Sequence, residues 1–168
     1  YYLQKGGKAI IVGMYSETEM PNFASILDTY GVSLTTGPIA DNDAQHYYNM
    51  GGPLYLLPNV NSSSYTGSLS GGYVYLPISL GINYQQNSTT DDTESTEESK
   101  TTYTSLLDTS DDAVAKNNPN SMQDYGYEDG DDKGSFSVGL AVEDKVDDDH
   151  TTQLVVFASP YVFSDEAS

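Results

Sequence analysis

The 168-residue sequence has no cysteine, no tryptophan, no arginine and only two histidines. The missing cysteine removes thiol nucleophiles, thiolate metal centres and disulfides, and it leaves the compartment open. Cations are scarce: six lysines face 25 acids, for a formal net charge of -19. A surplus of that size opposes approach to a phosphate backbone or an anionic lipid surface, so nucleic acid is not an expected partner. Long apolar runs are missing too. None reaches the roughly 18 residues of a membrane span, and the first residues lack the basic and apolar regions of a signal peptide. Contact with a membrane is therefore expected only through segments outside this chain. The sequence also lacks a G-x-x-x-x-G-K-[ST] loop and a Gly-rich strand-to-helix unit of the dinucleotide type, which leaves no cofactor to expect.

What is present suits one domain over residues 1–168, a length at which a core can be buried without metals or disulfides. In YYLQKGGKAIIVGM, Tyr1 to Lys5 read as the last turn of a helix, Gly6-Gly7 as its left-handed stop, and Lys8 to Met14 as a buried strand. The chain thus reads as starting mid-motif, as a domain excised from a longer protein would. SETEMPNFASILDTYG predicts a helix with Ser16 and Glu19 as a capping box, Pro21 in the first turn, and Met20, Phe23, Ala24, Ile26, Leu27 and Tyr30 along one face. Gly31 closes that helix and VSLTTG follows as a second strand, so a parallel pair of strands is expected there.

Farther on, GGPLYLLPNV and GGYVYLPISLGINY each carry a short run suited to a strand near an edge. Between them NSSSYTGSLS is too polar to dock and stays unassigned. Phe136, Val138, Leu140 and Val142 alternate with small residues, and DKVDDDH turns them into LVVFA. A hairpin with a central second strand is the expectation. SPYVFSDEAS then reads as the approach to another helix. Taken together, the pattern predicts a layered α/β fold on a mixed sheet with acidic loop insertions. The first of these, residues 85–102, has no apolar residue and is expected to be mobile, since it can bury nothing to offset the entropy of ordering. The second spans Asn117 to Gly134.

Catalytic patterns are weak. Gly67-Ser68-Leu69-Ser70-Gly71 places leucine where a G-x-S-x-G elbow needs its serine, and no S-x-x-K follows. His46 and His150 lie in loop-like sequence and read as solvated surface residues. DYGYEDGDDKG and VDDDH gather hard oxygen ligands, but with Gly130 in the sixth position of an EF-hand loop the first position falls on Tyr125 and the twelfth holds no glutamate. These acids read as solvated loops, with weak calcium binding in an extracellular medium as the alternative, and no metal-site residue is singled out. Asn61-Ser62-Ser63 and Asn87-Ser88-Thr89 are formal glycosylation sequons. Fifteen tyrosines, with Tyr47, Tyr48, Tyr55, Tyr73 and Tyr75 foremost, raise a carbohydrate platform as an alternative to half-buried strand positions.

The succession YYLQKGGKAIIVGM, ILDTYGVSL, YTSLLDTSDDA, FSVGLAV and TQLVVFASPYVFSD resembles the gliding-motility-type (Gld-type) auxiliary domain of ABC transport systems, a relative of the intraflagellar-transport-type domain. Ala158-Ser159-Pro160 departs from the Gly-Asp-Ser common at the closing motif of that family. The resemblance implies a flavodoxin-like or class I glutamine amidotransferase-like core. It further implies a non-catalytic accessory role in ligand or partner recognition, on the extracytoplasmic face of a bacterial membrane, beside an ABC permease and ATPase. A small-molecule or glycan ligand fits that role; a secreted or cell-surface carbohydrate-binding module is the alternative, and a degenerate hydrolase a third reading.

Ligands of parallel α/β sheets collect beyond the carboxyl ends of strands. The expected binding rim is therefore Asp108, Thr109 and Ser110, together with Tyr15, Ser16, Glu17 and Ser159. A plainer reading stands beside it, in which Thr109 or Ser110 caps a short helix from Ala113 to Lys116.

Overall fold

The computed structural model describes residues 1–67, 69, 72–85, 100–118 and 124–163. Among the described residues eleven strands run in chain order: β1 (Lys8–Val12), β2 (Val32–Asp41), β3 (Tyr55–Leu56), β4 (Asn59–Val60), β5 (Leu76–Pro77), β6 (Leu80–Tyr84), β7 (Thr101–Asp108), β8 (Ala113–Ala115), β9 (Asp132–Lys133), β10 (Ser137–Lys145) and β11 (Thr151–Phe157). One α-helix, α1 (Pro21–Asp28), lies among them, with 3-10 turns at Leu3–Lys5 and Pro160–Phe163. Nine strands form one mixed sheet in the order β1-β11-β10-β6-β2-β8-β9, with β7 pairing both β10 and β4; β3 and β5 form a separate small sheet.

This overturns the layered α/β expectation, flavodoxin-like and amidotransferase-like alike. Strand makes up 40% of the structure and helix 11%. A layered α/β fold needs a crossover helix between successive parallel strands. Here β1 pairs β11 in parallel, whereas the other described strand pairs are antiparallel. Nor do β1 and β2 form the expected parallel pair, since β2 lies between β6 and β8.

Local readings hold in part. Leu3–Lys5 is a helical turn stopped by Gly6 at φ 78°, as the glycine pair predicts. Helix α1 begins at Pro21, but Met20 is its N-cap without a side-chain bond, and Ser16 Oγ instead bonds within its own turn to Thr18. The expected capping box is absent because that turn consumes the hydroxyl. Leu27 is the buried anchor of α1, while Met20 and Ile26 face solvent. β10 and β11 form the expected hairpin, although β10 is the more deeply buried strand and β11 alternates. The run after Ser110 is not a helix. Ala113, Val114 and Ala115 are completely buried and pair with Asp41, Ala40 and Ile39 of β2, because a short apolar triplet closed in on both faces suits a strand better than a helix of one turn. Most of the proposed mobile insertion, residues 86–99, and the sequon at Asn87 lie outside the described residues.

Among the described residues the core has two parts; alternation along β10 sets Ala141 apart from Leu140 and Val142, and the register shift at Gly139 carries Val138 to the side of Ala141. One joins Leu27 and Tyr30 to Leu140, Val142, Leu154 and Val156. The other joins Ile39, Leu56, Leu76, Leu106, Val138 and Ala141, and so fastens the small β3–β5 sheet to the large one. Among the described residues no helix is long and apolar enough to cross a membrane.

Candidate functional site

Three elements meet at the turn after β7. Asp41, at the end of β2, is fully buried, and its carboxylate accepts Ser110 N–H (2.8 Å), Ser110 Oγ–H (2.5 Å) and Asp43 N–H (3.1 Å). Thr109, 3% exposed, accepts the Phe136 N–H on its Oγ1 (2.9 Å) and donates its own N–H to the Phe136 carbonyl (3.0 Å). Both hydroxyls therefore serve to stitch the turn to β2 and to the start of β10. Asp108 is likewise engaged, accepting Asn61 Nδ2–H (2.6 Å) and Ser105 Oγ–H (2.5 Å).

Asn61, Asp108, Thr109 and Ser110 line an open recess of about 550 Å³, with Asp43, His46, Asn59, Asp111, Asp112 and Ser135 completing its walls. His46 is 19% exposed in its side chain, with Nδ1 3.1 Å from Asp43 Oδ2 and Nε2 3.3 Å from Asn59 Oδ1. It is thus more buried than a solvated surface histidine. The Gln45 N–H, with a smaller contribution from His46, holds the Asp43 carboxyl below its ordinary range. Lys133 reaches Asp112 at 3.1 Å across an exposed rim. The lining is rich in acceptors and carries a negative surplus, which suits a partner that brings cations and N–H or O–H donors. Among the described residues no three metal-ligating side chains come together.

The structure divides the residues expected at one rim. Asp108, Thr109 and Ser110 line the recess, whereas Tyr15, Ser16 and Glu17 line a separate groove of about 860 Å³ beside α1, with Met14, Met20, Phe23 and Leu34. Ser159 is completely buried and donates its Oγ–H to the Pro77 carbonyl (2.7 Å), so it acts in packing. Asp43 and His46, with Asn59, Asn61, Asp111, Asp112 and Ser135, line the site unexpectedly: His46 reads from the sequence as a solvated surface residue and Asn61 as part of a sequon. An Asp-x-Asp closing a strand, with a histidine three residues later, was the available signal for the first two.

Three of the five tyrosines singled out for a carbohydrate platform do cluster. Tyr75 stacks on Tyr55 at 6.1 Å between centroids and meets Tyr48 edge-on at 6.0 Å, while Tyr73 stands 91% exposed nearby in sequence. Asn61 of the first sequon spends its amide on Asp108 and the Ser105 carbonyl, which removes it as a glycan acceptor in the folded chain. His150 sits in the exposed β10–β11 turn, 2.7 Å from Asp147.

The second acidic loop is organised around a buried cation. Lys116 is completely buried; its Nζ donates to Asp131 Oδ2 (2.6 Å), Gly126 O (2.8 Å) and Glu128 Oε2 (3.0 Å). Burial lowers the affinity of Lys116 for its proton, but the bonds to Asp131 and Glu128 outweigh it and the pKa is raised. Asp131 is depressed in turn: burial opposes, and the Lys116 bond with the Glu128 and Asn117 N–H groups prevails.

No family model matches the chain, and no curated protein matches it. Among solved structures it is similar to the "mmIFT52 N-terminal domain", with a TM-score of 0.57 and 14% identity over 98% of this chain and 59% of that one. The chain thus spans somewhat under two thirds of that neighbour. At such low identity the likeness is one of fold.

Proposed function

We propose that the chain is a non-catalytic recognition domain, the extracytoplasmic accessory part of a Gld-type ABC transport system, and that the acceptor-rich recess receives a basic loop of the permease–ATPase assembly. One observation carries this reading: the hydroxyls of the recess, Thr109, Ser110 and Ser135, are held in intramolecular bonds, while exposed Asp111 and Asp112, the latter beside Lys133, stand at its mouth. Such a site can bind through charge and hydrogen bonds; it has no free hydroxyl set against His46 for bond-breaking chemistry. The shared fold with a domain whose relatives entered the sequence resemblance supports the family side of the reading. Co-expression of the full-length protein with its permease and ATPase tests it. The three are expected to co-purify at low salt and to separate as salt rises, because the proposed contact is electrostatic. Absence of a complex at low salt overturns the reading.

The Tyr48–Tyr55–Tyr75 cluster favours a second reading, a carbohydrate-binding module. Retardation in a gel containing neutral polysaccharide, abolished by Tyr73→Ala with Tyr48→Ala, supports it; unretarded migration excludes it.

A further inference from the structure

Where the chain leaves β1, the groove of about 860 Å³ beside α1 has the edge of the core as its floor: Phe23 and Leu34 are partly buried and pack against the part of the core that holds Leu27. Helix α1 buries Leu27 near its end and leaves its N-cap, Met20, out in solvent. Two methionines thus stand over an apolar floor, Met14 at 52% exposed and Met20 at 43%. Hydrogen-bonding groups of this lining are largely spent inside the chain. Ser16 Oγ bonds within its own turn to Thr18, and the Thr35 hydroxyl donates to the Gly37 carbonyl and accepts the Gly81 N–H, both at 2.8 Å. Glu17 and Glu19 stand exposed at the rim, and among the described residues neither pairs with a cation. The lining holds no lysine and no histidine.

We propose that this groove receives a basic amphipathic helix of another protein, with apolar side chains spaced i, i+3 and i+4 set on Met14, Met20, Phe23 and Leu34, and with lysines or arginines beside Glu17 and Glu19. Charge complementarity selects this occupant. A floor that offers apolar contact, bounded by acids without partners, matches a segment that is apolar on one face and cationic on the other. Methionine adds to the fit, because its unbranched, flexible side chain adapts to differing apolar surfaces. A second copy of this chain is a poor match: α1 carries no lysine, and two chains of net charge -19 repel each other. A sugar or other polar ligand would find few free hydrogen-bonding groups on the floor. The groove is separate from the recess, and the proposal does not rest on the transporter reading.

Calorimetric titration of the chain with two peptides of about 18 residues, long enough to fold as a helix, tests the proposal. Both peptides contain the same number of leucines and lysines. In one the leucines follow the helical period, and in the other the order is scrambled so that no apolar face forms. At physiological salt, which screens the general attraction between an acidic protein and lysine, the periodic peptide is expected to bind at least about tenfold more tightly. Met14→Ser combined with Met20→Ser should remove about that factor, whereas Met14→Leu combined with Met20→Leu should retain it. Glu17→Gln combined with Glu19→Gln should weaken binding and flatten its salt dependence. The exposure of all four side chains makes these variants tolerable, and an unchanged thermal midpoint verifies that they fold. Equal affinity for the two peptides, or no binding of either, overturns the proposal. So does binding of the periodic peptide that is indifferent to the serine pair, or whose salt dependence is indifferent to the glutamine pair, in folded variants. Asp111 and Asp112 lie in the other pocket, so failure here leaves the recess reading standing.

Discussion

Lys116 shows how much one side chain organises in an acidic protein. Completely buried, it holds Asp131, which is 1% exposed in its side chain, and so anchors the loop from Gly126 to Asp131. Lys116→Met leaves the Asp131 carboxylate buried without its cation and is expected to destabilise by about 3–5 kcal/mol, measured by urea unfolding. The pH response follows from the same pair. Because the folded Asp131 pKa lies below the ordinary 3.8, the unfolded state takes up its proton first as pH falls. The stabilisation is therefore present above about pH 3.8 and is lost as pH drops toward the depressed value. Lys116 has the opposite limit: its raised pKa gives stabilisation present below 10.5 and lost as pH rises through the raised value. Asp131→Asn should flatten the acid limb of the stability curve; an acid limb as steep as that of the native chain contradicts the assignment. Nearer the recess, Ser110→Ala leaves two of the three bonds to Asp41 in place and should cost about 1 kcal/mol, again by urea unfolding.

Among elements, the pairing of β2 with β8 decides where the recess forms. Gly37 in β2 lies so close to the chain after β8 that an added Cβ would sit 1.5 Å from the Lys116 carbonyl oxygen. Gly37→Ala must force the strands apart, with an expected loss of about 3 kcal/mol and faster exchange of the Lys116 amide, which bonds to the Pro38 carbonyl. Nothing in the single letter at position 37 discloses this, since a close approach depends on a partner 79 residues away in the chain. Where the signal was local it could be read: the Gly6 stop, the body of α1 and the β10–β11 hairpin all follow from periodicity and turn chemistry. The layer arrangement was not local. One helix followed by a strand resembles the start of an α/β fold, yet β1 found its parallel partner in β11, at the far end of the chain. The recess was legible in part for a related reason. Asp108, Thr109 and Ser110 stand out as an abrupt change from apolar to polar, whereas Asn59 and Asn61 join them through the pairing of β4 with β7.

For the whole molecule the governing quantity is a net charge of -19 on 168 residues. Such a chain repels itself when compact, so its thermal midpoint should rise as salt increases from a few millimolar to physiological strength; a flat or falling midpoint would contradict this. The same surplus is what the proposed contact with a cationic partner at the recess rests on, with Asp111 and Asp112 at its exposed mouth. The most direct measurement is co-purification of the protein with the proposed permease and ATPase, comparing the native recess with Asp111→Lys combined with Asp112→Lys. Stoichiometric capture by the native chain and its loss in the folded double variant is the predicted result. Equal capture by both, or capture by neither, would contradict the assignment of this recess to transporter recognition.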